Sequence, residues 1–418
     1  MTELNHNWAR RFYTLWTGQA LSLLGSQLVQ FAIIWYLTQA TQSATTLAIA
    51  SMMGLLPQVA LSPFIGTWVD RGNRRFIMIV ADTLVATVTL GLAILFALNL
   101  VQIWHIYLAL FLRAVAGGFH QSAFGASVVL LVPKEHLARV QGFNQALYGG
   151  INILSAPLGA FLLAALPMQG ILSIDIGTAI LAVTIVFLTQ ILQPKRGTQT
   201  QATFWQDFAA GFRYIIAWRG LVILLGLVMV INFFFSAAEP LTPLLITKHF
   251  QGGAQQLGWW LASFSVGTIL GGLILGAWGG FQRKVITALL GLVLMGLGTM
   301  VVGLVPSQLF WVGLAANTGV GLLLPIINGS FGATLQATIS PDMQGRAFAF
   351  IMSAAMLVSP LALMIAGPFA DRFGIQLWFL IAGISCLLMG VFGFFSSDVM
   401  TMENRPKEDG QHVISSSA

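Results

Sequence analysis

Apolar residues in this chain run on continuously instead of alternating with polar ones. Stretches of about 20 residues or more recur along its length, separated by short turns rich in polar residues, Gly or Pro. At a rise of about 1.5 Å per residue, such a run matches the thickness of a bilayer's hydrocarbon core. Strands of a closed barrel would instead show alternating segments of about ten residues. The runs predict twelve helices, over roughly 13–38, 44–69, 76–98, 103–132, 137–165, 170–192, 219–247, 256–279, 284–304, 308–339, 345–370 and 375–397. A helix satisfies its own backbone hydrogen bonds, which lipid cannot do for it. The expected fold class is therefore an all-α polytopic membrane protein. The first run follows Arg10 and Arg11 and continues to about Leu37, too long for the apolar region of a signal peptide and without a clear cleavage site. It reads as the first span.

Polar residues between the runs set the orientation. An even number of spans puts both termini on one side. With that side cytoplasmic, the inner segments hold Arg10, Arg11, Arg71, Arg74, Arg75, Lys134, Arg139, Lys195, Arg196, Arg213, Arg219, Arg283, Lys284, Arg346, Arg405 and Lys407, against Lys248 and Arg372 outside. This imbalance is the positive-inside pattern, and it predicts a cell-membrane protein with cytoplasmic termini. Tryptophans fit the same register: Trp35, Trp104, Trp259, Trp260, Trp311 and Trp378 fall at outer ends, and Trp68, Trp218 and Trp278 at inner ends. The densest charge lies in Gly66–Arg75, GTWVDRGNRR, where Asp70, Arg71, Arg74 and Arg75 must sit at the water boundary between two spans.

The two halves of the chain repeat. Ser122-Ala-Phe-Gly-Ala, with Pro133, Glu135 and Arg139 after it, recurs as Ser330-Phe-Gly-Ala with Pro341, Asp342 and Arg346. Phe124 and Phe331 lie 207 residues apart, as do Arg139 and Arg346. Gly66-Thr-Trp68 recurs as Gly276-Ala-Trp278. Like-oriented repeats are a transporter signature. The expected organisation is two pseudo-symmetric six-helix bundles, 1–192 and 219–397. A cytoplasmic linker, 193–218, joins them and carries a short amphipathic helix over Phe204–Ile216 on the membrane surface. The polar tail 398–418 is expected to be disordered.

Composition narrows the chemistry. Hydrophobic residues make up 57% of the chain and charged ones 8%, so the net charge of +6 belongs to cytoplasmic loops facing lipid and indicates no nucleic-acid partner. The single cysteine, Cys386, lies in an apolar run and allows no intrachain disulfide. No G-x-x-x-x-G-K-[ST], no H-E-x-x-H and no cluster of His, Asp and Glu occurs. An ATP engine, a metal, a cofactor and an intramembrane enzyme are not expected, and the repeat favours a moving carrier over a receptor.

GTWVDRGNRR resembles the G-x-x-x-D-R-x-G-R-R loop between the second and third helices of the major facilitator superfamily, with Gly72 shifted. Arg113 to Gly117, RAVAG, is similar to the Arg-Gly motif in the fourth helix of proton-coupled members. Within the superfamily the chain looks like bacterial macrolide efflux proteins, through its opening NWARRFYTLWTGQALSLLGSQLVQFAIIWYLT, FHQSAFGASVVLLVP, the SIDIG around Asp175 and the KHFQGG after the seventh span. The resemblance implies that spans 1, 4, 7 and 10 line a central cavity and that 3, 6, 9 and 12 stand outside as support. It also implies that Asp70 meets the start of the eleventh span, where a helix N-terminus favours negative charge and Arg346 is near. Gly66, Asp70, Arg71, Arg74, Arg75 and Arg346 are then a conformational latch. Gly280 stands where the repeat would place a second Asp70, so the latch is one-sided.

Ionisable groups inside spans are functional candidates by default. Arg113, about ten residues or ~15 Å into the fourth span, is expected to face the cavity or a buried acid. Glu239, directly before Pro240 with Pro243 after it, is the first candidate for proton coupling beside an opened helix, against an outer-rim residue paired with Lys248 or solvated. Asp175 in the sixth span is the second. Asp82 in the third span is expected to pair with Arg74, Arg75 or another basic loop residue, and His120, without a metal-ligand partner, to be structural. Gln19, Ser22, Ser26 and Gln30 recur at helical spacing, as do Asn144, Tyr148 and Asn152. With Asn232, Phe235, Asn317 and Asn328 they mark an expected cavity wall for a large, mostly apolar substrate, the alternative for each Asn being interhelical glue.

The expected function is proton-coupled efflux of amphipathic drugs such as macrolides, by a monomer with a partner protein left open. Export of a siderophore or lipid, or solute uptake by the same fold, are the competing expectations.

Overall fold

A computed structural model describes residues 8–189 and 204–402. Lys195, Arg196, Arg405 and Lys407 lie outside them, as do most of the linker and the tail beyond Met402. Twelve helices among the described residues are long and apolar enough to cross a membrane. They are α1 (Trp8–Thr41), α2 (Ala44–Arg71), α3 (Arg74–Ala97), α4 (Ile103–Leu131), α5 (Lys134–Ala165), α6 (Met168–Leu188), α8 (Arg219–Leu244), α9 (Ala254–Trp278), α10 (Lys284–Leu304), α11 (Phe310–Thr338), α12 (Pro341–Phe373) and α13 (Ile375–Phe395). The surface helix α7 (Phe204–Ile216) precedes α8, and a helical turn α14 (Ser397–Met400) follows α13.

The turns are as short as the sequence requires. Asn73 caps α3, its side chain accepting from Phe76 N at 3.2 Å. Pro341 occupies the first turn of α12, where a missing N–H costs nothing. Gly374, at φ 90°, ends α12 and lets α13 begin at the next residue. Large apolar side chains such as Phe161, Leu188, Leu304 and Phe395 are exposed. On a soluble protein they would form an aggregation-prone surface; here they match a lipid environment.

The chain clusters into two compact units. The first takes in α1, α2 from Ile49, α3–α6 and Gly253–Trp259; the second takes in Ser43–Ala48, α7, α8, the rest of α9 and α10–α14. Inside the first unit, α1 packs on α5 and α6, and α3 packs on α4 and α6. Inside the second, α8 packs on α12 and α13, and α10 packs on α11 and α13. Counting spans, each pair in the second unit is the first unit's pair advanced by six, the structural form of the sequence repeat. Close contact in the second unit depends on Gly383, where an added Cβ would stand 2.7 Å from Met300 N and 2.8 Å from Gly296 O.

Two expectations change at the edges of the second unit. The α7 helix is more than a surface float: Tyr214 and Ile215 are buried, Gly211 abuts the backbone of Arg346, and the rings of Phe212 and Phe350 lie 5.4 Å apart. Its apolar face is partly used on α12, because α12 extends to the water boundary and offers apolar side chains there. At the start of the expected tail, 398–402 lies within the described residues and includes part of α14. α14 is ordered because Val399 and Met402 are buried, Met402 beside Gly220, while Asp398 Oδ2 lies 3.6 Å from Arg219 Nε.

Candidate functional site

The first unit concentrates the polar chemistry. On α1, Gly25 has no side chain to hold α6 away: an added Cβ would stand 3.3 Å from Asp175 Cα. That approach brings Ser26 next to Asp175, and Ser26 Oγ donates to Asp175 Oδ1 at 2.9 Å. Arg113 from α4 donates to Asp175 Oδ2 at 2.6 Å, and Thr89 Oγ1 from α3 donates to the same oxygen at 3.1 Å. Arg113 also hydrogen-bonds Thr89 Oγ1. Asp175 has 0% exposure, so this is a buried ion pair with both carboxylate oxygens satisfied by donors from three other helices. Arg113 reaches the buried acid that its depth in the span calls for.

A second acid–base pair lies two turns away along the same helices. Asp82, seven residues before Thr89 on α3, faces His120, seven residues after Arg113 on α4. Seven residues is about two helical turns, so each helix presents both of its groups on one face. Asp82 Oδ1 and His120 Nε2 are 3.5 Å apart, and Gln19 of α1 lies beside the carboxylate. Asp82 Oδ2 and His120 Nε2 are both buried and have no hydrogen-bond partner. Both carboxylate oxygens of Asp175 are bonded, whereas Asp82 Oδ2 and His120 Nε2 are left open.

Both pairs border one cavity of about 520 Å³ inside the first unit. Gln19, Ser22, Ser26, Gln30, Asn144 and Tyr148 line it, in agreement with the two polar stripes of α1 and α5. So do Asp82, Arg113, Gly117 and His120. Trp16 Nε1 donates to Asn144 Oδ1 at 2.8 Å, tying α1 to α5 at the wall. This volume falls in the range of drug-sized sites, and the lining mixes apolar surface with a few polar groups.

Several expected residues are placed elsewhere. Asp82 does not pair with the basic loop. Arg74 lies 3.6 Å from Asp70 and donates to Ala126 O at 2.8 Å, while Arg75 donates to Val186 O at 3.1 Å and to Phe187 O. These arginines have nearer partners at the membrane boundary than an acid two turns deeper. Asn152 is not in the cavity lining. In the second unit, Asn317 donates from Nδ2 to Trp260 O at 2.9 Å and to Ser263 Oγ at 3.1 Å, joining α11 to α9 as glue. Asn232 donates to Val228 O at 2.9 Å, one turn back on its own helix, and Phe235 packs against the unit's apolar core. Asn328 is exposed. Glu239 is exposed and makes no ion pair with Lys248. α8 stays helical through Pro240 and Pro243, each of which lacks the N–H for a backbone bond, and then widens into a π-turn over Leu245–His249. Asp70 is 64% exposed on its side chain, and Arg346 Nη1 lies 3.9 Å from Met343 Sδ.

Asp82 and His120 are the groups that sequence reasoning set aside. The seven-residue offsets from Thr89 and Arg113 were the signal that could have joined them.

The Major Facilitator Superfamily profile matches residues 15–239 and 224–417. The chain belongs to that superfamily. It is 33% identical over 392 residues to macrolide efflux protein A of Streptococcus pyogenes, covering 93% of this chain and 96% of that one. It is 26% identical to the multidrug efflux pump Tap of Mycolicibacterium fortuitum, covering 89% and 92%. Among solved structures, the nucleoside transporter NupG superposes with a TM-score of 0.72 at 12% identity, covering 93% of this chain and 99% of that one. That likeness is one of fold. This superfamily member is a multi-pass membrane transporter with efflux-protein relatives, and not an enzyme.

Proposed function

We propose that this transporter exports amphipathic, macrolide-like compounds across the cell membrane by alternating access, driven by proton entry. The observation that carries the proposal is the first unit's cavity, large enough for part of a bulky ligand and walled by Gln19, Ser26, Gln30, Asn144 and Tyr148 beside a neutralised Arg113–Asp175 pair. Such a wall offers a few hydrogen bonds on a largely apolar surface, which suits a large and mostly apolar molecule. Similarity to macrolide efflux protein A along nearly the whole chain supports the direction of transport and the substrate class. The chain is taken to act as a monomer, with both termini cytoplasmic. Glu239, Asp175 and Arg113 are its sequence-derived coupling candidates, and Gly66–Arg75 with Arg346 is its latch.

The test is accumulation of radiolabelled erythromycin in an efflux-deficient bacterial host. Expression is expected to lower steady-state accumulation severalfold, and a proton uncoupler to restore it. Accumulation that expression leaves unchanged for erythromycin and for a panel of amphipathic drugs overturns export. Lowered accumulation that the uncoupler does not restore overturns proton drive.

A further inference from the structure

We propose that Asp82 and His120 together form the proton-exchanging site of the cavity, where a basic amine on the substrate and a proton alternate. This inference rests on the proton-driven reading above and assigns its chemistry to residues outside the three sequence-derived candidates. Asp175 is poorly suited to cycling. It is wholly buried, and its oxygens are held by Ser26, Thr89 and Arg113, so protonating it would leave a buried guanidinium without its counter-charge. Glu239 makes no ion pair and does not line the first unit's cavity.

Asp82 and His120 have the opposite character. Their nearest atoms are 3.5 Å apart, longer than a good hydrogen bond, and each has a buried polar atom without a hydrogen-bond partner. Buried polar atoms left open in this way call for an occupant. The pair faces the cavity, so an occupant can reach it. The other charged groups packed around it, Arg113 on α4 and Asp175 on α6, neutralise each other, while Gln19 from α1 is polar and uncharged. The pair therefore sets the net charge of the cavity wall. With Asp82 ionised and His120 neutral the wall carries one negative charge and holds an ammonium group. When one proton binds the pair, that charge is cancelled and the ammonium is released with its own proton intact. One positive charge enters and one leaves, and no bond other than the transferred N–H or O–H changes. The two groups share one site, so the exchange is assigned to the pair and not to either residue.

The experiment uses full-length protein reconstituted in proteoliposomes, with erythromycin, a macrolide bearing a tertiary amine, as probe. Two readouts are taken: uptake driven by an imposed pH gradient, and erythromycin counterflow without a gradient. Wild type is expected to show both. Asp82→Asn and His120→Gln are each expected to lose at least tenfold in gradient-driven uptake, while the melting temperature of His120→Gln in detergent stays close to that of wild type, showing a folded carrier. If wild type responds to the gradient and both variants respond within twofold of it, this inference is overturned while proton drive stands. If wild-type uptake ignores the gradient, proton drive itself fails.

Discussion

Arg113 Nη1 stands 2.6 Å from Asp175 Oδ2, and the carboxylate it meets is fully buried. Removing one partner strands the other charge among helices. Asp175→Asn and Arg113→Met should each destabilise the purified protein by about 3–5 kcal/mol, whereas the double replacement should recover much of that loss. Thermal unfolding in detergent measures it. A double variant no more stable than the worse single one would show that the two groups do not act as a pair.

The same pair shows how far the sequence could be read. Continuous apolar runs, basic loops and a repeat of 207 residues specify the number of helices and the fold, because hydrocarbon imposes length and internal hydrogen bonding on every span. The site is less legible. A position in one helix says how deep a residue lies, but not which neighbour it faces. Arg113 could be placed at mid-membrane, yet its partner depended on Gly25 admitting α6. The family resemblance makes α3 a support helix and so points Asp82 away from the cavity, while Asn317 fulfils the interhelical reading, since a polar residue at depth serves a cavity or a neighbouring helix equally well.

Gly25 gives a second prediction. An alanine there would put a methyl group against Asp175 and Thr178, while Gly54 and Gly117, which line the cavity, have nothing within 4 Å of an added Cβ. Gly25→Ala should cost about 1–3 kcal/mol through overpacking, and Gly54→Ala and Gly117→Ala much less. Larger side chains at Gly117 should weaken erythromycin binding without unfolding the protein. Equal melting temperatures for Gly25→Ala and Gly117→Ala would count against the close α1–α6 contact.

Within the second unit, Asp371 near the end of α12 acts as an external cap for the first residues of α2. Its carboxylate accepts from Ala44 N at 2.7 Å, Thr45 N at 2.9 Å, Ser43 Oγ at 2.9 Å and Thr45 Oγ1 at 2.7 Å. These are donors that a helix start otherwise leaves open. Asp371→Ala should lower stability by about 0.5–2 kcal/mol, in line with loss of a helix cap. Hydrogen exchange at Ala44 and Thr45 should quicken in that variant, and unchanged protection at both amides would rule the cap out.

Asn317 separates a structural polar residue from a ligand-binding one. Its amide bonds Trp260 O and Ser263 Oγ, so Asn317→Ala should cost about 0.6–1.7 kcal/mol, the range for such bonds between membrane helices. The pattern of exported compounds should not change. A variant with normal stability and an altered drug profile would return Asn317 to the substrate site.

The loop from Gly66 to Arg75 carries the last prediction. Asp70 is mostly exposed and its nearest cation is Arg74, 3.6 Å away on the next helix. With the Asp70 side chain mostly in water, its attraction to Arg74 is largely screened and contributes only about 0–1 kcal/mol, so Asp70→Asn should leave the melting temperature nearly unchanged. If Gly66–Arg75 is the latch proposed above, the same substitution shifts the resting population toward the inward-open state. A cysteine placed on the cytoplasmic side of the cavity, at Gln121 for example, should then react faster with a hydrophilic maleimide. Stability and labelling together discriminate: a lower melting temperature with unchanged labelling would make Asp70 a structural residue of the loop, and unchanged stability with faster labelling would make it part of the latch.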